Sequence, residues 1–274
     1  GHVTVQQLLD HPAYQTVCRH AELFSSGIKP LDVERAVSGE RSPFYGMDKF
    51  SDRKERILAL LNTLRSNIDP WTTVIHNQLS ALFPEADLDI TVYPIIGYDM
   101  GIGLNGAACL NVNTPLYLAE PYEFLFYIIH EATHVIYERA HTIPRLADVM
   151  TPMQWRSYFN LWLQNEGYAV YTPLKLRQDL GFLSDHDYKV LSDPALVEEH
   201  RQAYLQVKQI LDEGLTGDPA RYLECCFGDK RLTYRMGCEL IRRIESTYGR
   251  QAVRQAFTLD CDEFAHRYEY LLKL

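Results

Sequence analysis

The sequence has little positive charge. Its 274 residues carry 27 lysines and arginines against 36 aspartates and glutamates, which gives a formal net charge of −9. A chain that binds the phosphate backbone of a nucleic acid needs a basic surface, so this balance argues against such a partner. Basic residues do gather in the last third, but on a helix such a run is typical of a solvated face.

Two further classes are excluded by what is missing. The longest apolar runs are far shorter than a bilayer crossing needs. None of the six cysteines forms a CxxC pair, and the adjacent pair cannot readily bridge, so we expect reduced thiols rather than a disulfide framework. No signal peptide is recognised at the start, and the expected location is the cytoplasm. The cysteines are Cys18, Cys109, Cys225, Cys226, Cys238 and Cys261.

Several enzyme signatures are also missing. The chain has no serine nucleophile elbow, no phosphate-binding glycine loop and no dinucleotide fingerprint. It has no internal repeat and no low-complexity linker. With 46% hydrophobic residues, it can bury a core as one large domain or two closely packed lobes.

Apolar periodicity predicts a mainly helical α+β protein. Two strands are expected, at Leu88–Ile96 and Ala107–Val112, with a glycine-rich turn between them that contains Gly101 and Gly103. Such strands are typical of a small sheet, and one of them could border a peptide-binding cleft or form an ordinary hairpin. Helices are predicted at 4–24, 30–36, 51–68, 70–83, 120–141, from 152 towards Pro173, 174–180, 193–213, 231–248 and 250–273.

The most informative stretch is His130-Glu131-Ala132-Thr133-His134, inside an apolar, helix-periodic run. Residues four apart share one helix face, so His130 and His134 can present two imidazole nitrogens to one metal ion. Glu131, one residue after His130, points about a third of a turn away and can take a proton from a water bound to that metal. Two nitrogen ligands, an open coordination position and a general base are the parts of a hydrolytic zinc site.

A catalytic zinc usually has a third protein ligand. A third histidine six residues after His134 is excluded because Ala140 stands there. Glu138 lies a full turn beyond His134 on the same helix, which favours a supporting or surface role. Glu166 is the better candidate, because this carboxylate sits in an apolar helix and a buried charge needs a partner. A buried ion pair or a tyrosine contact is the alternative explanation for Glu166.

The segment Asn165-Glu166-Gly167-Tyr168-Ala169, taken with the histidine motif, resembles gluzincin-type zinc metallopeptidases. It is similar to bacterial families of predicted zinc-dependent proteases with a Glu-Gly-x-Ala ligand segment. The resemblance covers about residues 90–249 and implies one zinc per chain, bound by His130, His134 and Glu166, with Glu131 as general base.

The same resemblance implies a zincin-like fold, with a small sheet beside the histidine helix and a helical C-terminal lobe. Residues 1–86 would form an N-terminal helical region and residues 87–274 the catalytic region, together in one compact unit. One position departs from the family pattern. Many gluzincins have an acidic residue four positions after the ligand glutamate, where this chain has Val170.

Water attack on an amide also needs a donor that stabilises the oxyanion. Tyr234 precedes Gly237 in a Tyr-x-x-Gly segment that resembles the end of such proteases, and Tyr168 and Tyr171 are alternatives. Arg231 and Arg235 could bind a substrate carboxylate, although a surface role is favoured for both.

These residues predict a zinc-dependent peptidase that acts on a peptide or protein substrate, with no nucleic-acid partner and no membrane span. Two rival interpretations stay open. One is a regulatory or binding protein that keeps the fold and the metal without hydrolysis. The other is that the histidine motif is accidental and no metal binds. The substrate, endo- or exopeptidase action and the oligomeric state are not determined by the sequence.

Overall fold

The computed structural model of the chain describes residues 4–24, 27–40, 44, 46–214 and 219–274. Helices dominate, and one small three-stranded sheet lies among them, which confirms the predicted mainly helical α+β class. In this described part, no helix combines the length and the apolar character that a membrane crossing requires. The chain divides into two compact units, Gly1–Glu138 with Arg145–Ala147, and Arg139–Pro144 with Asp148–Leu274. The predicted division at residue 86 stays a prediction.

The first unit begins with helices where the sequence predicts them. The single predicted helix over 4–24 is two helices, because Pro12 starts a new one and the Nδ1 atom of His11 accepts a hydrogen bond from the Ala13 N–H at 3.2 Å. A residue before proline is pushed out of the helical region, so the break falls at His11. The helices are α1 (Val5–Leu9), α2 (Pro12–Leu23), α3 (Pro30–Val37), α4 (Phe50–Ser66) and α5 (Ile68–Leu82).

The sheet has strands β1 (Thr91–Ile95), β2 (Gly101–Leu104) and β3 (Ala107–Asn111) in the order β1-β3-β2. β1 runs parallel to β3, and β2 runs antiparallel to it. The two predicted strands are present, but the segment predicted as a glycine-rich turn is a third strand. Asn105 and Gly106 form the tight turn instead, with φ of 53° and 74°. Asn-Gly is the strongest two-residue hairpin signal, and its positive φ angles match the twist of the strands.

The two faces of the sheet are covered differently. Ile102 of β2 and Cys109 of β3 face a core formed with the N-terminal helices, which contribute Tyr14, Val17 and Val33. The opposite face of β2 carries only glycines. This face lies against the histidine helix, α7 (Tyr122–Ala140), which follows the short helix α6 (Pro115–Ala119). The helix predicted over 120–141 is therefore confirmed within two residues at each end.

The second unit is organised around α8 (Pro152–Leu180), which the Thr151 side chain caps. Every residue from 158 to 174 is buried, so α8 is surrounded on all sides. Pro173 does not interrupt it, and the helix ends at Gly181 with φ 77°. The other helices are α9 (His186–Leu191), α10 (Pro194–Asp212), α11 (Pro219–Phe227), α12 (Leu232–Tyr248), α13 (Arg250–Phe257) and α14 (Cys261–Tyr268).

The predicted helix over 250–273 is also divided, into α13, α14 and a 3-10 turn at Glu269–Leu272. Asp260 causes the division, because its side chain accepts a hydrogen bond from the Asp262 N–H at 2.9 Å and caps α14. A capping carboxylate ends one helix and starts the next, since its own backbone is extended.

Helices α8 and α12 approach each other through two glycines. A Cβ atom on Gly237 would overlap the carbonyl oxygen of Leu163 and lie 2.7 Å from Cα of Gly167. Both side-chain positions are therefore filled by the backbone of the other helix.

Replacing Gly237 with Ala tests this contact. Helix propensity alone would stabilise the protein by about 1 kcal/mol, but overpacking costs typically about 1–3 kcal/mol and the neighbour here is rigid backbone. We expect Gly237→Ala to lower the free energy of unfolding by about 2 kcal/mol in urea denaturation. Gly27→Ala is the control, because a Cβ there meets nothing within 4 Å. A variant as stable as the wild type would contradict the close approach.

Candidate metal centre

Helix α7 presents His130 and His134 one turn apart on the same face. Their Nε2 atoms lie 3.2 Å from each other, and the ring centroids are 4.8 Å apart. His130 is 8% exposed, and the ring of Tyr127 lies at 5.8 Å from it. His134 is partly buried. The helical spacing predicted from the sequence therefore does bring the two nitrogens together.

This nitrogen pair fits a tetrahedral metal ion. Two imidazole nitrogens bound to zinc at about 2.0–2.1 Å with a tetrahedral angle lie roughly 3.3 Å apart. The observed 3.2 Å agrees with that value. The same distance allows one N–H···N hydrogen bond between the two rings. This hydrogen bond stabilises the pair without a metal, and a metal ion bound by both nitrogens would take the place of its proton.

Glu166 supplies the third donor. It is 4% exposed and is the only charged residue in the buried run 158–174 of α8. Its carboxylate oxygen and the two histidine nitrogens all lie within 4.8 Å of one another. Two imidazoles and one carboxylate form the donor set of a catalytic zinc with an open fourth position. The buried His-His-Glu group predicted from the sequence could thus hold a metal ion.

Glu131 lies on the side of α7 that faces the sheet. It is 5% exposed. Strand β2 passes so close to this helix that a Cβ atom on Gly103 would overlap the backbone oxygen of Glu131 and lie 2.9 Å from Cβ of His134. Only a strand without side chains on this face can lie there. The sequence indicated the glycines, but not that they belong to a strand against the motif.

Glu138, for which the sequence favours a supporting or surface role rather than metal binding, supports the hairpin. Its Oε1 atom accepts a hydrogen bond from the Gly106 N–H at 3.2 Å. The bond ties the tight turn between β2 and β3 to the last part of α7. Glu138 therefore helps to hold β2 along the histidine helix, a function that spacing alone could not indicate.

Tyr234 lies near the start of α12, where the guanidinium carbon of Arg231 is 3.5 Å from its ring centroid. It precedes Gly237 by three residues, and Gly237 touches Gly167, the neighbour of Glu166. Its helix is therefore packed against the helix of Glu166 at the level of that residue. The role of Tyr234 as an oxyanion donor stays a prediction.

The two arginines have structural partners. Arg231 and Arg235 each donate through Nε to the buried carboxylate of Asp187, at 2.9 Å in both cases. Arg235 is 5% exposed and also donates to Nε2 of His200 at 2.6 Å. The predicted surface role for Arg235 was wrong, because this side chain is buried. Its partner Asp187 is 48 residues away in sequence, so residue spacing does not reveal the ion pair.

Val170, where many gluzincins have an acidic residue, is 1% exposed in α8. Its carbonyl oxygen accepts a hydrogen bond from the Tyr188 hydroxyl at 3.0 Å. The position is part of the core of the second unit.

Comparison with known proteins gave no match. No protein-family model, no curated protein and no solved structure matches the chain. The resemblance to gluzincins therefore depends on the motif residues alone and stays a prediction.

The donor set predicts metal binding by the purified protein. We expect metal-free protein to bind one equivalent of Zn²⁺ per chain and to gain thermal stability, by about 2.7 kcal/mol when free zinc is 100 times Kd. Glu166→Ala and His134→Ala should each weaken binding at least about 100-fold, measured by competition with a chelating dye.

Matched controls are available on exposed helix positions. His76→Ala and Glu199→Ala remove the same side chains from sites outside the donor set and should bind zinc as the wild type does. Unchanged affinity in Glu166→Ala would contradict the donor set.

Proposed function

We propose that the protein is a zinc-dependent peptidase that hydrolyses peptide bonds with Glu131 as general base. The observation that carries the proposal is the buried group of His130, His134 and Glu166, whose ligand atoms lie within 4.8 Å of one another. The carboxylate of Glu131 follows directly after the first of these residues. Ligands and base thus come from one helix turn and one further buried carboxylate, as hydrolytic zinc chemistry requires.

The roles of the protein groups follow from their chemistry. A bound zinc would polarise the carbonyl of the scissile bond and increase the acidity of water. Glu131 takes the proton of the attacking water as the new C–O bond forms. It then gives this proton to the leaving amine as the C–N bond breaks, so that the carboxylate is regenerated. Glu131 is not proposed as a ligand, because its side chain lies against Gly101 of β2.

Strand β2 supports a peptide as substrate. It is one of the two edge strands in the order β1-β3-β2 among the described residues, and it lies beside the motif. An extended peptide can add to such an edge through main-chain hydrogen bonds. Such binding depends little on substrate side chains, which agrees with a strand that has glycine at two of its four positions.

Two observations favour a catalytic protein over a metal-binding regulator. A metal site without catalysis has no need for a carboxylate at 131, and burial of a charged group there costs free energy unless it serves a purpose. Glu131 is nevertheless 5% exposed and is accommodated by glycine on the facing strand.

Glu131→Gln tests the base. The variant keeps the size of the side chain but cannot accept a proton, so we expect hydrolysis of a peptide library to fall about 10³-fold. Zinc content should stay at one per chain, because the ligands are intact. Glu199→Gln, on the exposed surface of α10, should keep full activity. If Glu131→Gln digested the library as fast as the wild type, the proposed mechanism would be wrong.

Tyr234→Phe tests the proposed oxyanion donor. Loss of one donor to a developing oxyanion lowers kcat about 10²-fold or more, while KM changes little because the ground state does not need the donor. Kinetics on one cleaved peptide measure both constants. Tyr248→Phe, at the exposed end of the same helix, is the control. Equal kcat in Tyr234→Phe and wild type would assign the role to another group, such as Tyr171.

A further inference from the structure

We infer that Gly101 is a positioning residue for Glu131: the bare backbone at this point of β2 fixes where the Glu131 carboxylate lies. The contact itself is independent of any activity. Its catalytic meaning rests on the proposed function, in which the carboxylate must meet one particular proton.

The space at Gly101 is filled by a single side chain. A Cβ atom built there would lie 2.5 Å from Oε1 of Glu131 and 3.0 Å from both its Cδ and its Cγ. These three are the nearest atoms outside the strand neighbours, and all belong to the part of Glu131 beyond Cβ. Real Cβ atoms do not approach other atoms so closely, so alanine at 101 and this Glu131 conformation exclude each other.

Backbone conformation does not explain the glycine. Positive φ angles occur at seven glycines of the described chain, and Gly101 is not one of them. Alanine could adopt the strand conformation of Gly101 without strain. The requirement for glycine is therefore one of space towards Glu131.

Gly101 and Gly103 have separate tasks, although both face α7. At Gly103 the neighbouring atoms are the Glu131 backbone and Cβ of His134. A side chain at 103 would collide with the backbone of the helix beside His134. At Gly101 the neighbour is the end of the Glu131 side chain, so a side chain there would displace the carboxylate and leave the helix in place.

The strand itself has no freedom to move aside. Next to Gly101, the Met100 carbonyl oxygen accepts hydrogen bonds from the Asn111 N–H at 2.9 Å and from the Tyr117 hydroxyl at 3.3 Å. At the other end, Glu138 holds the Gly106 N–H. Because β2 is anchored at both ends, the side chain of Glu131 must give way when Gly101 carries a methyl group.

A displaced carboxylate is a poor base. Proton transfer needs the base within hydrogen-bond reach of the proton, and a misplacement of about 1 Å can cost 10²-fold in rate. Gly101 contributes by keeping free the space that the Glu131 carboxylate occupies, and it does not touch the substrate itself.

A stability cycle on metal-free protein tests the contact without any activity. We expect Gly101→Ala to lower the melting temperature by about 3 °C or more, since overpacking in a buried site is costly. In a Glu131→Ala background the three conflicting atoms are gone, and the same substitution should leave the melting temperature unchanged or slightly raised. Gly27→Ala should have no effect in either background.

Two outcomes of this cycle would overturn the inference. An equal loss in both backgrounds would mean that the methyl group conflicts with something other than Glu131. No loss in either background would mean that the carboxylate moves aside freely and is not positioned by Gly101.

The activity arm then tests the meaning of the contact. We expect zinc-loaded Gly101→Ala to keep one zinc per chain and a KM within about threefold of the wild type, while kcat falls about 10²-fold. Adding Gly101→Ala to Glu131→Gln should cause no further loss, because the residue acts through the base. Gly103→Ala should instead lower zinc binding, since it displaces the backbone beside His134.

The two hypotheses can fail separately. If the wild type cleaves no peptide but the stability cycle shows coupling, the peptidase proposal is wrong and the positioning contact stands. If the wild type is active and Gly101→Ala keeps its kcat, the positioning role is wrong and the peptidase proposal stands.

Discussion

The close contact of strand β2 with helix α7 is the constraint on which the first unit depends. A strand whose helix-facing positions are both glycine can lie directly on the helix backbone, and Gly103 meets Glu131 at a distance that leaves no room for a methyl group. The hairpin turn at Asn105–Gly106 and the hydrogen bond from Gly106 to Glu138 keep the strand there. The opposite face of the strand is anchored in the core by Ile102. The position of the Glu131 side chain and the burial of the sheet thus come from one contact.

The second unit uses the same device for its own carboxylate. Glu166 is followed by Gly167, which meets the backbone of Gly237 on α12. A glycine next to a buried carboxylate lets a second element come close enough to exclude water, and a dry environment strengthens every electrostatic interaction of the charge. The cost of burying the charge rises for the same reason, so such a carboxylate must be compensated. The two buried carboxylates of the candidate site therefore share a structural logic, although they lie on different helices.

Sequence reasoning succeeded where the signal is local. The histidine spacing and the charged Glu166 within an apolar helix are each recognisable from a few neighbouring residues. The sequence-based predictions differ from the structure where the deciding interaction joins residues far apart in the chain, or where two local signals point to different structures. Asn105-Gly106 is a hairpin signal that places the turn after β2, whereas the glycines of β2 alone indicate a turn within it. Pro173 lies inside α8 without ending it, because a helix buried on all sides keeps its course when packing outweighs the loss of one hydrogen bond. The ion pair of Arg235 with Asp187 joins residues 48 apart, and no periodicity reveals it.

Function resides in the site rather than in the fold, so the chain can be interpreted from the chemistry of its site. An accidental histidine motif would be expected to lie on an exposed helix, with ordinary neighbours and no third donor. Here His130 is buried, its Nε2 atom lies 3.2 Å from that of His134, and Glu166 brings a carboxylate oxygen within 4.8 Å of both. Glu131 of the motif is buried as well, and the strand that covers it has no side chain at the point of contact. Each of these features carries a cost in stability or in sequence freedom, and the proposed metal site would account for all of them together.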